Sequence, residues 1–123
     1  MEDNIEKSPS PDKLGGMLGL ARKAGKLTFG TDRITDSIRS KHPFIVLMAS
    51  DISENTRKRI ENCCKYYKTE YGDLNMTMNI LSHYIGQSSA VSAVSIMDKS
   101  FMAAILEMIN PTTVVKRNNP REV

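Results

Sequence analysis

The chain has 123 residues, of which 40% are apolar and 25% are charged, and its formal net charge is +3. These proportions are typical of one ordinary globular domain. No apolar run approaches the roughly 18 residues that a membrane span needs, so we expect no membrane association. The polar N-terminus lacks the apolar core of a signal peptide, and we expect a cytoplasmic protein. The mild positive charge permits nucleic-acid binding without demanding it.

The first predicted element is a helix that follows a polar arm. Residues 1–11 contain two prolines among serines and charged residues, and we expect them to be disordered. Ser10 can cap a helix that has Pro11 at its first position. Apolar residues then recur at helical spacing as far as Ala21, and Gly25 is suited to end the helix.

Three glycines lie inside this predicted helix, at Gly15, Gly16 and Gly19. A glycine in a helix interior costs about 1 kcal/mol relative to alanine. Such a cost is usually found where another backbone packs very close. We therefore expect a close backbone contact along this part of the helix.

A short strand and a second helix come next. Leu27–Phe29 has room for only a very short strand, and Gly30 and Thr31 then begin a helix that Pro43 ends. Residues 44–49 form a continuous apolar run. Such a run predicts a strand buried on both faces, as in a sheet that helices cover on each side.

The second half of the chain continues this alternation of helix and strand. We predict a helix over residues 54–66, an edge strand over 68–72, a short helix capped by Asn75, a strand over 90–97 and a last helix capped by Asp98.

The alternation predicts an α/β fold, a three-layer α/β/α sandwich with a four-stranded mixed sheet between the helices. We assign this domain to residues 12–110 and a flexible basic tail to residues 111–123. In such sheets ligands bind near the loops at strand ends. Residues 26–31 and 86–90 are the loops with the most distinctive composition.

The sequence contains no recognisable catalytic or metal-binding constellation. Cys63 and Cys64 are adjacent in a helical apolar stripe, and this spacing suits neither a zinc site nor an unstrained disulfide. At least one of them is expected in the core. His42 and His83 share no spacing with each other or with a cysteine. We therefore predict a protein that is not an enzyme and has no cofactor and no metal.

The start of the second helix is a natural phosphate site, because helix N-termini carry free N–H groups and partial positive charge. Gly30 allows close approach, and Thr31, Asp32 and Arg33 can hydrogen-bond base edges or 2′-hydroxyls. Three basic residues precede this position: Arg22, Lys23 and Lys26. Their phosphate contacts would make binding salt-dependent. A simple helix cap on a protein-binding domain is the other interpretation.

A second basic cluster consists of Arg57, Lys58 and Arg59 in the third predicted helix. It is equally consistent with a solvated helix face and with a nucleic-acid contact.

The segment ARKAGKLTFGTDRITDSIRS resembles the ARRAGKL motif of YlxQ-type bacterial proteins, part of the kink-turn RNA-binding superfamily of ribosomal proteins L7Ae and L30e. The resemblance continues through IVLMASDISENTRKRI, CKYY, LSHYIGQSS and AVSAVSIMDKSFMAAIL, and covers about residues 14–106.

The resemblance implies a three-layer sandwich without cofactor or catalysis that binds structured RNA, such as kinked or internal-loop ribosomal RNA. It implies an RNA surface at the helix start, residues 30–36, and the loop at 86–90. We expect a monomer that works with the ribosome or translation factors. The expected RNA-binding residues combine the first basic cluster with the helix start and the second loop. They are Arg22, Lys23, Lys26, Gly30, Thr31, Asp32, Arg33, Asp36, Gly86, Gln87, Ser88 and Ser89.

The chain departs from kink-turn binders of this superfamily, which carry Gly-Thr-Asn-Glu followed three residues later by Lys. Asp32, Arg33 and Asp36 stand at the Asn, Glu and Lys positions. An aspartate cannot donate a hydrogen bond as an asparagine amide does. The second loop is also polar where relatives place apolar residues over a flipped-out base. These departures favour general RNA binding over recognition of a standard kink-turn. They leave a second interpretation open, a protein-interaction module that binds a ribosomal or translation-factor partner.

Overall fold

The computed structural model describes residues 11–108 and 115–116. Within these residues the chain alternates five helices with five strands, in accordance with the predicted α/β fold. The helices are α1 (Pro11–Lys23), α2 (Thr31–Ser40), α3 (Glu54–Tyr67), α4 (Met78–Tyr84) and α5 (Lys99–Met108). The strands are β1 (Leu27–Phe29), β2 (Ile45–Met48), β3 (Tyr71–Asp73), β4 (Ala93–Ile96) and β5 (Val115–Lys116).

The strands form one mixed sheet in the order β1-β4-β2-β3-β5. β2 and β3 are parallel, whereas β4 runs antiparallel to both β1 and β2. The four predicted strands are therefore all present. β5 pairs antiparallel with β3, the strand expected at the sheet edge, and it lies within the segment 111–123 expected to be a tail. The rest of the expected arm and tail lies outside the described residues.

β2 is buried on both faces, as its apolar run predicts. Ile45 and Leu47 join the core cluster formed with α1, α4 and α5. Val46 and Met48 join a second cluster formed with α2 and α3. Because side chains alternate along the strand, β2 contributes to two cores, one on each face of the sheet. Helices cover both faces, which gives the three-layer sandwich.

The helix glycines mark a close contact between α1 and α4. A Cβ on Gly19 would lie 2.8 Å from the carbonyl oxygen of Tyr84, and one on Gly15 would overlap the Tyr84 ring. A Cβ on Gly16 would meet nothing within 4 Å. The expected backbone contact is confirmed at Gly19, involves a ring at Gly15 and is wrong for Gly16, because Gly16 lies on the exposed side of the helix.

Several predicted boundaries differ from the structure, and β4 begins at Ala93 rather than at residue 90. Two other differences have identifiable causes. β3 begins at Tyr71 rather than at residue 68, because Lys68 adopts a left-handed conformation (φ 60°) that ends α3. Its N–H bonds to the carbonyls of the last turn. The cap of α4 is Thr77 and not Asn75, since the Thr77 side chain accepts a hydrogen bond from the Ile80 N–H at 3.3 Å.

Across the described ranges, every helix is too short or too polar to span a bilayer.

Candidate nucleic-acid interface

The sheet brings the two predicted loops to the same end of the molecule. Phe29, the last residue of β1, pairs with Val94 near the start of β4. Because the two strands are antiparallel, the residue that opens α2 and the loop that leads into β4 leave the sheet side by side. The pairing of β1 with β4 therefore brings together two loops that are more than fifty residues apart in the sequence.

A shallow, open depression of about 490 Å³ lies at this junction. Six of the twelve predicted residues line it, together with Phe29: Arg22, Gly30, Thr31, Asp32, Arg33 and Gln87. The lining combines two guanidinium groups, a helix start and an amide side chain. This mixture suits a polar, negatively charged ligand.

Gly30 sets the geometry of the helix start. Its φ of 92° and ψ of 131° lie in a region that residues with a side chain rarely adopt, and it forms the N-cap of α2. The first helical hydrogen bond runs from the Ile34 N–H to the Gly30 carbonyl at 2.8 Å. The N–H groups of the intervening residues, 31–33, precede this bond, and glycine offers no side chain to cap them. The positive end of α2 is therefore accessible at the rim of the depression.

Phe29 organises the cationic side chains, and the sequence reasoning missed it. The Cζ atom of Arg22 lies 5.2 Å from the centre of the Phe29 ring, and that of Arg33 lies 5.7 Å from it. Each cation–ring contact at a partly exposed site contributes about 0.5–1 kcal/mol. The ring thus holds two guanidinium groups from different helices beside the same surface. Its position directly before Gly30, at the end of the predicted first strand, was the available signal.

Asp32 does not stand alone at the helix start. Its Oδ1 accepts a hydrogen bond from Nη2 of Arg59 in α3 at 2.6 Å. Both side chains are largely exposed, so the pair contributes at most about 1 kcal/mol to stability and opens easily. It nevertheless neutralises the carboxylate that the sequence places beside the expected phosphate site.

The second basic cluster divides between two roles. Whereas Arg59 reaches Asp32, the half-buried Arg57 forms ion pairs with Asp73 at 2.9 Å and Glu61 at 3.3 Å. Burial lowers the pKa of Arg57, but the bonds and charges of the two carboxylates outweigh it and leave the pKa raised. Arg57 is therefore structural, and Lys58 is exposed on the outer side of α3.

Asp36 lies one turn further along α2, outside the first depression. Its Oδ1 accepts a bond from Arg39 at 3.1 Å, so its charge is also offset by a neighbouring arginine. It lines a second depression of about 270 Å³, whose walls are Thr28, Arg33, Asp36, Ser37, Ser40 and Lys41. Arg33 contributes to both depressions.

The remaining predicted residues do not line the first depression. Lys23 is exposed at the end of α1, and Lys26 precedes β1, at the opposite end of that strand from Gly30. Its carbonyl accepts a bond from the Met97 N–H at 2.8 Å, next to the end of β4. Gly86, Ser88 and Ser89 are exposed in the same loop as Gln87.

The cysteines are poor candidates for chemistry. Burial raises the pKa of Cys64 to about 12, so its thiol stays protonated at neutral pH. Burial also raises the pKa of Cys63, although Arg39 and Arg59 lower it in part. In the described part of the chain, no three His, Cys, Asp or Glu side chains are grouped as a metal site would need.

Comparison with known families gives one match over most of the chain. Residues 12–105 match the model of the ribosomal protein L7Ae/L30e/S12e/Gadd45 family. Two curated relatives carry the name RNA-binding protein YlxQ. The one from Bacillus subtilis (strain 168) is 31% identical over 94 residues, which cover 76% of this chain and 92% of the relative. The one from Enterococcus faecium is 33% identical over 97 residues, covering 79% and 91%.

A solved structure has the same fold. It is the structure of a protein with unknown function from Bacillus halodurans C, with a TM-score of 0.70 and 21% sequence identity. The superposition covers 78% of this chain and 95% of the other. At this sequence identity the similarity supports a shared fold only.

Proposed function

Because the chain belongs to the ribosomal protein L7Ae/L30e/S12e/Gadd45 family, we propose that it is a non-enzymatic, cytoplasmic protein that binds structured RNA. The observation that carries this proposal is the convergence of Arg22, Arg33, the α2 start and Gln87 on one depression. The names of the two curated relatives support it. The two arginines, the start of α2 and the Gln87 amide each suit a different feature of RNA.

The two guanidinium groups and the start of α2 bind phosphate oxygens. Arg22 and Arg33 are held by the same Phe29 ring, which reduces the entropy lost when they meet an anion. The amides at residues 31–33 add dipole attraction. Phosphate contacts of this kind release counterions, so the affinity falls as salt rises.

Gln87 and Thr31 read bases and riboses. The Gln87 amide both donates and accepts, and it is half-buried in the wall of the depression. Aromatic stacking contributes little, because the described wall contains one ring, Phe29, and two arginines already lie against it. Internal loops and kinked helices offer exposed base edges and irregular phosphate positions, which suits such a surface. We therefore propose a kinked or internal-loop ribosomal RNA as the ligand.

The residues at the helix start read such an RNA differently from standard kink-turn binders. A carboxylate at Asp32 accepts from amino groups of bases and donates nothing, whereas Arg33 donates to phosphate or to the acceptor edge of guanine. Arg59 pairs with the Asp32 carboxylate at 2.6 Å in this exposed position. We propose that the chain binds a standard kink-turn more weakly than an internal loop that offers base amino groups at this position.

Filter binding across a salt series tests the proposal. The probes are a standard kink-turn RNA, the same duplex without its bulge, and total ribosomal RNA. We expect binding to the kinked or ribosomal RNA that exceeds binding to the plain duplex and weakens as salt rises. Arg33→Ala should weaken it by about tenfold, in the range expected for one lost arginine contact.

Lys58→Ala is the matched control, because it removes one exposed positive charge on the far side of α3. No detectable binding at low salt, or equal effects of Arg33→Ala and Lys58→Ala, would refute the proposal. A protein partner that is captured from nuclease-treated lysate and released by Arg33→Ala would instead identify a protein-interaction module.

A further inference from the structure

The two depressions form one track along α2. They share Arg33, and the second continues past Thr28 and Ser40 to Lys41 at the C-terminal end of the helix. α2 has ten residues and is therefore about 15 Å long. A strand of a duplex carries one phosphate per about 3.4 Å of axis, so this length corresponds to a few phosphates.

The second depression has the chemistry of a sugar–phosphate contact. Its walls present the hydroxyls of Thr28 and Ser40 between the cations Arg33 and Lys41. The exposed Ser40 hydroxyl donates to the carbonyl of Asp36, which leaves its oxygen able to accept from a 2′-hydroxyl.

The one carboxylate of this wall is already paired. Asp36 is bonded to Arg39 at 3.1 Å, so the net charge of the described walls is positive. β1 lies at the edge of the described sheet, which places the depression on the side of the molecule, next to solvent.

More positive charge collects where the track ends. The Phe44 N–H bonds to the Ile96 carbonyl at 2.9 Å, and the Met97 N–H bonds to the Lys26 carbonyl at 2.8 Å. These bonds bring together the starts of β1 and β2 and the end of β4, so the exposed Lys26 and Lys99 leave the sheet at the same end as Lys41. The nearby acid, Asp98, accepts a bond from the Phe101 N–H and caps α5.

We propose that bound RNA continues beyond the first depression along α2, and that Lys41, together with Lys26 and Lys99, contacts the phosphates that flank the recognised loop. This inference rests on the proposed function and extends it to a second subsite. It also accounts for Lys26, a basic residue of the predicted site that lies at the start of β1 and does not line the first depression.

The test compares a core RNA with an extended one. The core probe is the bulged duplex of the kink-turn RNA, and the extended probes carry an added single-stranded oligouridine segment at the 5′ or the 3′ end. The full chain should bind one extended probe more tightly than the core. Lys41→Ala should remove most of that gain and so weaken binding to the extended probe by about threefold to tenfold. The slope of log affinity against log salt concentration should become shallower by about 0.7, for one lost single-strand phosphate contact. Lys41→Ala should leave affinity for the core probe unchanged.

Two controls separate this inference from the function on which it rests. Lys58→Ala should leave both probes unaffected, and Arg33→Ala should weaken both, because Arg33 lines the first depression as well. Failure of Arg33→Ala to weaken the core probe counts against the proposed function. Equal affinities for core and extended probes, or equal effects of Lys41→Ala and Lys58→Ala on the extended probe, overturn the second subsite. A Lys41→Glu variant should enlarge the effect of Lys41→Ala.

Discussion

Two alanine substitutions in α1 should have opposite effects on stability. At Gly19 a Cβ would lie 2.8 Å from the carbonyl oxygen of Tyr84, whereas at Gly16 it would meet nothing within 4 Å. Both changes improve helix propensity by about 1 kcal/mol. At Gly19 this gain is opposed by overpacking, which typically costs about 1–3 kcal/mol, because the neighbouring atom is backbone and cannot turn away.

The free energy of unfolding should therefore rise by about 1 kcal/mol in Gly16→Ala and fall by about 0–2 kcal/mol in Gly19→Ala. Urea denaturation followed by circular dichroism measures both values. The difference between the two variants isolates the α1–α4 contact, since propensity and exposure of the unfolded chain change equally. If Gly19→Ala stabilises the protein as much as Gly16→Ala does, the close approach of the two helices is wrong.

The contact also links the core to the candidate interface. Tyr84 ends α4, and Gly86 and Gln87 follow within three residues. A displaced α4 terminus should shift Gln87, so Gly19→Ala should weaken RNA binding while Gly16→Ala leaves it unchanged. Equal affinities of the two variants would show that the loop tolerates this displacement.

Three further predictions concern the ion pairs, the thiols and the α2 surface. Arg57→Ala should lower the free energy of unfolding by about 1–3 kcal/mol, because it removes the cation that pairs with two partly buried carboxylates. Arg39→Ala breaks only an exposed pair and should cost less than about 0.5 kcal/mol in the same urea titration; equal losses would contradict this. Since burial raises the pKa of Cys64 to about 12, a disulfide reagent at mildly alkaline pH should modify Cys64 only after unfolding. Rapid labelling of the folded Cys63→Ser variant, in which Cys64 is the remaining cysteine, would contradict this prediction. Asp36→Lys should increase affinity for a standard kink-turn RNA and steepen the salt slope in filter binding, and an unchanged slope would show that RNA does not pass this point of α2.

The ion pairs change how the two acids of α2 are interpreted. From the sequence, Asp32 and Asp36 look repulsive to a phosphate backbone. In the structure Arg59 lies 2.6 Å from one carboxylate and Arg39 lies 3.1 Å from the other. Both pairs are exposed and therefore weak, so an approaching phosphate can compete for either arginine. Asp32 and Asp36 thus keep Arg59 and Arg39 beside the track, where each arginine can exchange its carboxylate partner for a phosphate.

The elements of this fold could largely be predicted because each carries a local signal. The apolar run of β2, the Gly30–Thr31 helix start and the Asp98 cap all lie where the sequence placed them. The predicted Asn75 cap failed because a contact distant in sequence decides the helix start. The Asp51 carboxylate accepts from the Met78 N–H at 2.8 Å, and α4 starts after Thr77.

The candidate site was only partly predictable, because its members come from separate parts of the chain. Composition identified Arg22, the helix start and the loop that contains Gln87, and the family resemblance implied an RNA surface at the helix start and this loop. Neither could show that Phe29 holds two arginines or that Arg59 reaches Asp32. The first depends on how α1 and α2 pack beside β1, and the second depends on the packing of α3 against α2.

The sequence by itself determined the periodic elements, the two-sided burial of β2 and the positive helix start at Gly30, since these depend on residues within one or two turns of each other. Only the tertiary structure decided which charges act together. Pairing of Phe29 with Val94 brings the two loops to one end, and the packing of α3 beside α2 places Arg59 on Asp32. Electrostatic interactions depend on distance in space, and a sequence specifies that distance only through the fold.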